Sequence, residues 1–257
     1  MIAAPFLGEW GWQLMRWQAH LRFLGVETVY CQSGFSYLYE DFAEVIECNV
    51  NVLRKDKWYG EDHSDRMMPW DNADIKPSKA VCENRKLEQK FVQYGKLRYG
   101  KVMDFDILLH DRMAKRKCDK KTGDRRYKYW SELCKNFNGL KVGWVGTRAE
   151  AGKPLEIGKD LRDLPLKTLA DLLANSKLII GPSSGVMHFA SLCNTPHLVW
   201  TDRRKWNLGC AKSTNYNRYT RFWNPFSTPA YVIDDEKEPW QPSPERVLKA
   251  IDKNKLL

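Results

Sequence analysis

The chain has 257 residues, 43% hydrophobic and 29% charged, which allows one large or two small domains and excludes wholesale disorder. Forty-two Lys and Arg against 32 Asp and Glu give a net charge of +10. That excess favours anionic partners: nucleic acid, an acidic membrane surface or phosphorylated substrates. No apolar run reaches the roughly 18–20 residues that a membrane span needs. Seven cysteines, odd in number and without C-x-x-C spacing, argue against a zinc site or a disulfide framework. A reducing cytoplasm is the simplest setting.

Ile2 to Leu7 reads as a short buried strand without the basic leader of a signal peptide. Gly8-Glu9-Trp10-Gly11 follows as a tight turn. Trp12 to Phe23 has Leu14, Trp17 and Leu21 at i, i+3 and i+7, with Arg16, Gln18 and Arg22 on other faces, which predicts a helix ending at Gly25. Val26 to Cys31 is a β-branched strand, so the opening is a β–loop–α–β unit of a parallel sheet. Residues 54–100 read as largely irregular, with a polar helix over 83–98. From Phe105 the pattern restarts: strands at Phe105–His110, Leu140–Val145, Leu178–Ile180 and His197–Trp200, and helices at Tyr127–Phe137, Leu166–Asn175 and Gly185–Cys193. A short amphipathic helix from Glu245 to about Lys253 closes the chain. The expectation is an α/β protein of two Rossmann-like halves, residues 1–100 and 104–235. Residues 236–257 form a tail and helix. Two such halves facing each other would bind ligands at the carboxyl ends of their sheets.

The strongest local signal is Leu178-Ile179-Ile180-Gly181-Pro182-Ser183-Ser184-Gly185-Val186-Met187-His188. A buried strand runs into a small-residue turn that opens a helix. Gly and Ser let backbone N–H groups approach an anion, and the helix start adds free donors and a positive dipole end. Such a turn suits a diphosphate, with Ser183, Ser184, Gly185 and His188 as its contacts. The same residues also fit a Ser-capped helix beside a core histidine.

The stretch from Leu161-Arg162-Asp163-Leu164-Pro165 through this turn to Asn194-Thr195-Pro196-His197-Leu198-Val199-Trp200 resembles the nucleotide-sugar half of GT-B glycosyltransferases. It is most similar to the heptosyltransferase-like group that adds sugars to lipopolysaccharide. The resemblance covers about a quarter of the chain, and Ser183 stands where that group usually carries an acid. It implies a compact GT-B-like fold and a nucleotide-sugar cosubstrate. It also implies inverting transfer with no essential metal or other cofactor. Glu9, in the Gly8-Glu9 pair after the first strand, matches the group's general base. A carboxylate there takes the proton of the attacking hydroxyl, although a Glu at a helix start is also favoured by the dipole alone. Arg148, after the strand ending at Val145, is a candidate to neutralise the departing diphosphate.

Asp104-Phe105-Asp106 has the D-x-D form of metal-dependent transferases, but the apolar strand follows it, so it reads as a strand entry. Residues 112–128 hold nine basic and two acidic side chains, +7 over 17 residues. Arg112, Lys115, Arg116, Lys117, Lys120 and Lys121 are candidate phosphate or acceptor contacts, against a solvated charge run. With no amphipathic membrane-docking helix evident, the charge points to DNA carrying hydroxymethylated pyrimidines as the acceptor. An envelope glycan or glycolipid acceptor, a non-catalytic nucleic-acid-binding module and a nucleotide-sugar isomerase or epimerase remain open alternatives.

Overall fold

The computed structural model describes residues 1–48, 72–78, 84, 86–97, 104–112, 126–202, 215–235 and 240–257. Lys115, Arg116, Lys117, Lys120 and Lys121 lie outside them. The chain divides into two compact units, Met1–Val92 and Gln93–Leu257. Both are α/β with parallel sheets.

In the first unit, β1 (Ile2–Ala3), β2 (Thr28–Gln32) and β3 (Glu44–Cys48) form a parallel sheet in that order. An isolated bridge pairs Ala3 with Ile75. The helical stretch α1 links β1 to β2 in three pieces: Trp10–Trp12, a π-helical Gln13–Trp17, and Gln18–Leu24. Leu14, Trp17 and Leu21 are buried, as their spacing predicts. Gln18 and Arg22 are buried too, contrary to the expectation that they face outward. The π turn adds a residue to the repeat and rotates the side chains that follow it. Their polar atoms bond inside: Gln18 Nε2 donates to the Leu14 carbonyl at 2.8 Å, and the Arg22 guanidinium meets Asp41 at 2.8 Å. Gly25 ends α1 in the left-handed region (φ 66°), where a side chain is disfavoured.

Residues 86–97 are not helical, which corrects the expected helix over 83–98. Leu87, Phe91 and Tyr94 have helical spacing, but the segment's backbone and side-chain polar groups bond to neighbouring elements instead. Lys90 N–H donates to Ala19 O at 2.9 Å, and Gln89 Nε2 donates to Met15 O at 2.7 Å.

The second unit is built on a six-stranded parallel sheet: β4 (Phe105–Leu109), β5 (Val142–Trp144), β6 (Lys159–Asp160), β7 (Ser176–Pro182), β8 (His197–Asp202) and β9 (Ala230–Asp235). Their spatial order is β6-β5-β4-β7-β8-β9. The chain builds outward from β4 to one edge, then returns to β7 and builds to the other. That is the doubly wound order, and its switch point lies between β4 and β7.

Side-chain alternation divides the core. Ile107, Leu109, Leu178, Ile180, Leu198, Trp200 and Ile233 pack on one face with α2 (Trp130–Cys134) and α6 (Pro244–Lys253). Leu108, Ile179 and Val199, fully buried, take the other face, where β7 meets α3 (Leu166–Ala174) and α4 (Gly185–Leu192). Helix α5 comprises Asn215–Asn217 and a π-helical Arg218–Phe222. Helix α6 begins at the Ser243 cap with Pro244 at its first position, and Val247 and Ile251 enter the core. The terminal helix is therefore integral to this unit rather than a separate tail.

The unit also begins before β4. Tyr94 N–H donates to Leu192 O at 2.8 Å and Lys96 N–H to Asp171 Oδ1 at 2.7 Å. No helix among the described residues is long and apolar enough to cross a membrane.

Candidate active site

Parallel strands place all their carboxyl ends on one side. At the β4–β7 switch point, two loop starts converge there: His110-Asp111-Arg112 after β4, and Ser183-Ser184 after β7. The strands approach closely, with His110 N–H donating to Ile180 O at 2.9 Å. A Cβ on Gly181 would lie 2.3 Å from the His110 carbonyl oxygen, so only glycine fits. Asp104 and Asp106 sit at the opposite, amino end of β4. Asp106 bonds Lys177 at 2.7 Å and accepts from Lys141 N–H at 2.8 Å.

The turn after β7 is held from three sides. Ser183 N–H donates to Trp200 O at 3.0 Å, in line with β8. Arg112, only 6% exposed, donates from its guanidinium to the Ser183 carbonyl at 3.2 Å. The Tyr219 hydroxyl lies 3.1 Å from Ser183 Oγ and accepts from Ser184 N–H at 3.2 Å. Ser184 caps α4: its hydroxyl accepts from Met187 N–H at 3.4 Å and its carbonyl from His188 N–H at 3.2 Å. Helix geometry leaves the first-turn N–H groups of Gly185 and Val186 without intrahelical acceptors. They sit at the positive end of the helix dipole.

His188 is placed behind the turn. Its ring stacks on Tyr219 (centroids 4.3 Å apart, 11° between planes) and meets Trp223 edge-on at 4.6 Å. Burial, then the Arg218 and His197 charges, hold it well below the usual histidine range. Its Nδ1 is buried without a hydrogen-bond partner among the described residues. His110 is also neutral, pushed down to about 4 chiefly by burial, and its Nδ1 bonds Val145 O at 3.1 Å.

The positive charge at the turn comes from Arg112 and Arg218. Both lower the cost of negative charge at Tyr219, although burial outweighs them and pushes its phenol up. Arg218 lies over the Trp223 ring at 4.8 Å. Arg148 is elsewhere. It is 60% exposed after β5 and paired with Asp163 at 2.9 Å and Asp160 at 3.5 Å. Asp160 is shared with Arg162, which it meets at 2.9 Å.

Glu9 belongs to the first unit. It is exposed at the start of α1, and its carbonyl accepts from Trp12 N–H at 3.0 Å and Gln13 N–H at 3.2 Å. The structure therefore brings together Ser183, Ser184, Gly185, Arg112 and, one layer back, His188. Sequence reading offers Tyr219 only as one of several aromatics able to stack on bases or sugars, and does not place it or Arg218 at the turn, more than thirty residues upstream.

This arrangement, a doubly wound sheet with a small-residue turn and buried arginine at its switch point, has the fold of the heptosyltransferase-type glycosyltransferases. Among solved structures it is similar to Escherichia coli ADP-heptose lps heptosyltransferase II (TM-score 0.58, 15% identity, 98% of this chain and 97% of that one). A glycosyl transferase of family 9 from Veillonella parvula is similar to the same degree (0.58, 13%, 98% and 96%). The iron-containing dodecameric glycosyltransferase TibC of enterotoxigenic E. coli also matches (0.52, 12%, 83% of this chain), and the chain spans 60% of its length. No family model and no curated protein sequence matches the chain.

Proposed function

We propose that the protein is a glycosyltransferase that moves a sugar from a nucleotide-sugar donor to a hydroxyl acceptor. The observation that carries this reading is the β7–α4 turn at the sheet's switch point, where buried Arg112 donates to the Ser183 carbonyl, Arg218 acts on the adjoining Tyr219, and helix geometry leaves the N–H groups of Gly185 and Val186 without intrahelical acceptors. Open α/β sheets bind ligands there, and preorganised donors with a buried cation suit a diphosphate. The neighbours in fold, named for transfer from ADP-heptose and for family 9 glycosyl transfer, support the same reading.

In the reaction, an acceptor oxygen attacks the anomeric carbon and the bond from that carbon to the diphosphate oxygen breaks. One displacement inverts the anomeric centre. Glu9 takes the acceptor's proton, and the one additional negative charge that bond breaking leaves on the nucleoside diphosphate is met by Arg112 and Arg218. Ser183, Ser184 and Gly185 orient the diphosphate, with His188 supporting them as a neutral ring. Arg148, already paired with two aspartates, is the weakest of the donor-site assignments.

The acceptor is read as an anionic molecule, on the +10 charge. Hydroxymethylated DNA and an anionic glycan or glycolipid share that electrostatic chemistry. The neighbours' names favour the glycan side, because one acts on lps. The test is incubation with UDP-, GDP- and ADP-sugars, measuring nucleoside diphosphate release with and without hydroxymethylcytosine DNA or a lipopolysaccharide core acceptor. Acceptor-dependent release is expected. Tight DNA binding with no release from any donor would mean a binding module, and donor conversion without acceptor an isomerase or epimerase.

A further inference from the structure

The hydrogen-bond polarity at the turn assigns a role to Tyr219, a residue with no place in the reaction above. Its hydroxyl is within reach of three groups: Ser184 N–H at 3.2 Å, Ser183 Oγ at 3.1 Å and Ser184 O at 3.4 Å. The N–H can only donate, so the phenol oxygen accepts there, and the single phenolic hydrogen is left to go to Ser183 Oγ or Ser184 O. Ser184 O is the farther of the two and already accepts from His188 N–H at 3.2 Å. Between the two hydroxyls, the phenol is the more acidic and the better donor. Its hydrogen therefore goes to Ser183 Oγ.

That settles the direction of Ser183. Its oxygen is an acceptor towards Tyr219, so its own hydrogen must point elsewhere, and no other described residue receives it. The phenol cannot swing away from this duty. Tyr219 is fully buried, stacked on His188 and edge-on to His197 at 5.7 Å.

We propose that Tyr219 is a positioning residue that turns the Ser183 hydroxyl into an obligate donor for a phosphate oxygen of the nucleotide. This rests on the nucleotide-sugar reading of the site. The same phenol engages the Ser184 N–H internally, so the anion is met by the Ser183 hydroxyl and by the N–H groups of Gly185 and Val186. A site polarised in this way accepts phosphate oxygens, which only receive hydrogen bonds, and disfavours a ligand that presents a donor there.

The test is calorimetric binding of UDP, GDP and ADP to the full chain as wild type, Tyr219→Phe, Ser183→Ala and the double variant. Tyr219→Phe keeps the ring stack and removes only the hydroxyl. For whichever nucleotide the wild type binds, each single variant is expected to weaken binding about tenfold or more, the scale of a hydrogen bond to a charged group. The double variant should be no weaker than the weaker single one, because both remove one and the same bond. Wild-type affinity in either single variant, or losses that multiply in the double, overturns the assignment. If Tyr219→Phe does not fold, undiminished affinity in Ser183→Ala still overturns it. Absence of nucleotide binding in the wild type is a different failure: it removes the glycosyltransferase reading itself and this inference with it.

Discussion

Glu9 and the buried histidines show how differently exposure sets the work of a titratable side chain. Glu9 sits exposed at the strand-to-helix turn after β1, and the proposed function makes it the base. Replacing it with Gln preserves shape and removes basicity. Turnover should fall about 10²–10⁴-fold, the usual worth of a positioned base, while calorimetric donor affinity stays near wild type. Transfer at the wild-type rate would remove Glu9 from the mechanism. His110, His188 and His197 are the opposite case. Burial depresses all three, to about 4 for His110 and His197. Between roughly pH 4 and the unfolded histidine value near 6.5, the unfolded chain binds more protons than the folded one. Stability therefore rises with pH across this window and is lost as pH falls through it. Asp111, whose carboxyl is pushed up by burial, works in the opposite sense above its unfolded value, but it is one group against three. The melting temperature should drop between pH 7 and pH 5, with net proton uptake on unfolding at pH 5.5. A melting temperature that held or rose over that interval would contradict the buried neutral state of these rings.

At the scale of elements, β4 and β7 matter most, because their carboxyl ends position everything at the candidate site. Gly181→Ala would drive a Cβ to 2.3 Å from the backbone oxygen of His110, a group that cannot step aside. Overpacking of this kind costs about 1–3 kcal/mol, and here it would also push Ser183 away from Arg112. Urea denaturation should show the loss of stability, and nucleotide affinity should fall with it. A variant with wild-type stability would mean that the strands separate more easily than their packing indicates. The turn after β7 was legible because its signal is local: an apolar run, then small residues, then a helix start. Arg22 and Gln18 were misread because a π turn shifts the helical repeat, which no spacing rule applied to an ordinary helix detects. The spacing of Leu87, Phe91 and Tyr94 suits the helix expected over 83–98, but the segment's polar groups bond to α1 instead, so tertiary contacts override the local pattern. Strands β3 and β9 were missed for another reason. At Glu44–Cys48 the alternation is mostly exposed, and the run Ala230–Asp235 ends in two acids, so neither announces a buried strand.

For the molecule as a whole, the two-unit α/β plan was readable from the order of strand-like and helix-like segments, because parallel sheets need a helix between successive strands. The assembly of the candidate site was not. Arg112, Ser183 and Tyr219 are far apart in the chain and meet only because the sheet reverses between β4 and β7. Net charge is the other property of the whole chain, and it bears on the acceptor. Of the +10, residues 112–128 supply +7, Arg112 among them, and in the proposed function the donor is met by Arg112, which is buried, and by Arg218. Exposed charges are screened by salt and buried ones much less. Acceptor use and donor binding should therefore respond differently to ionic strength. Raising salt from about 50 to about 200 mM should depress transfer to an anionic acceptor steeply and leave nucleoside diphosphate affinity comparatively flat. Changing Lys115, Arg116, Lys117, Lys120 and Lys121 to Gln should flatten the first response and spare the second. With duplex DNA as acceptor, the slope of log affinity against log salt should shrink by about 0.9 for each phosphate that the variant no longer neutralises. With a glycan bearing a few isolated phosphates or carboxylates, the wild-type slope should already be shallow. The two acceptor classes thus separate on one plot of affinity against salt. Transfer that is indifferent to salt and to the five substitutions would show that the basic run takes no part in acceptor recognition.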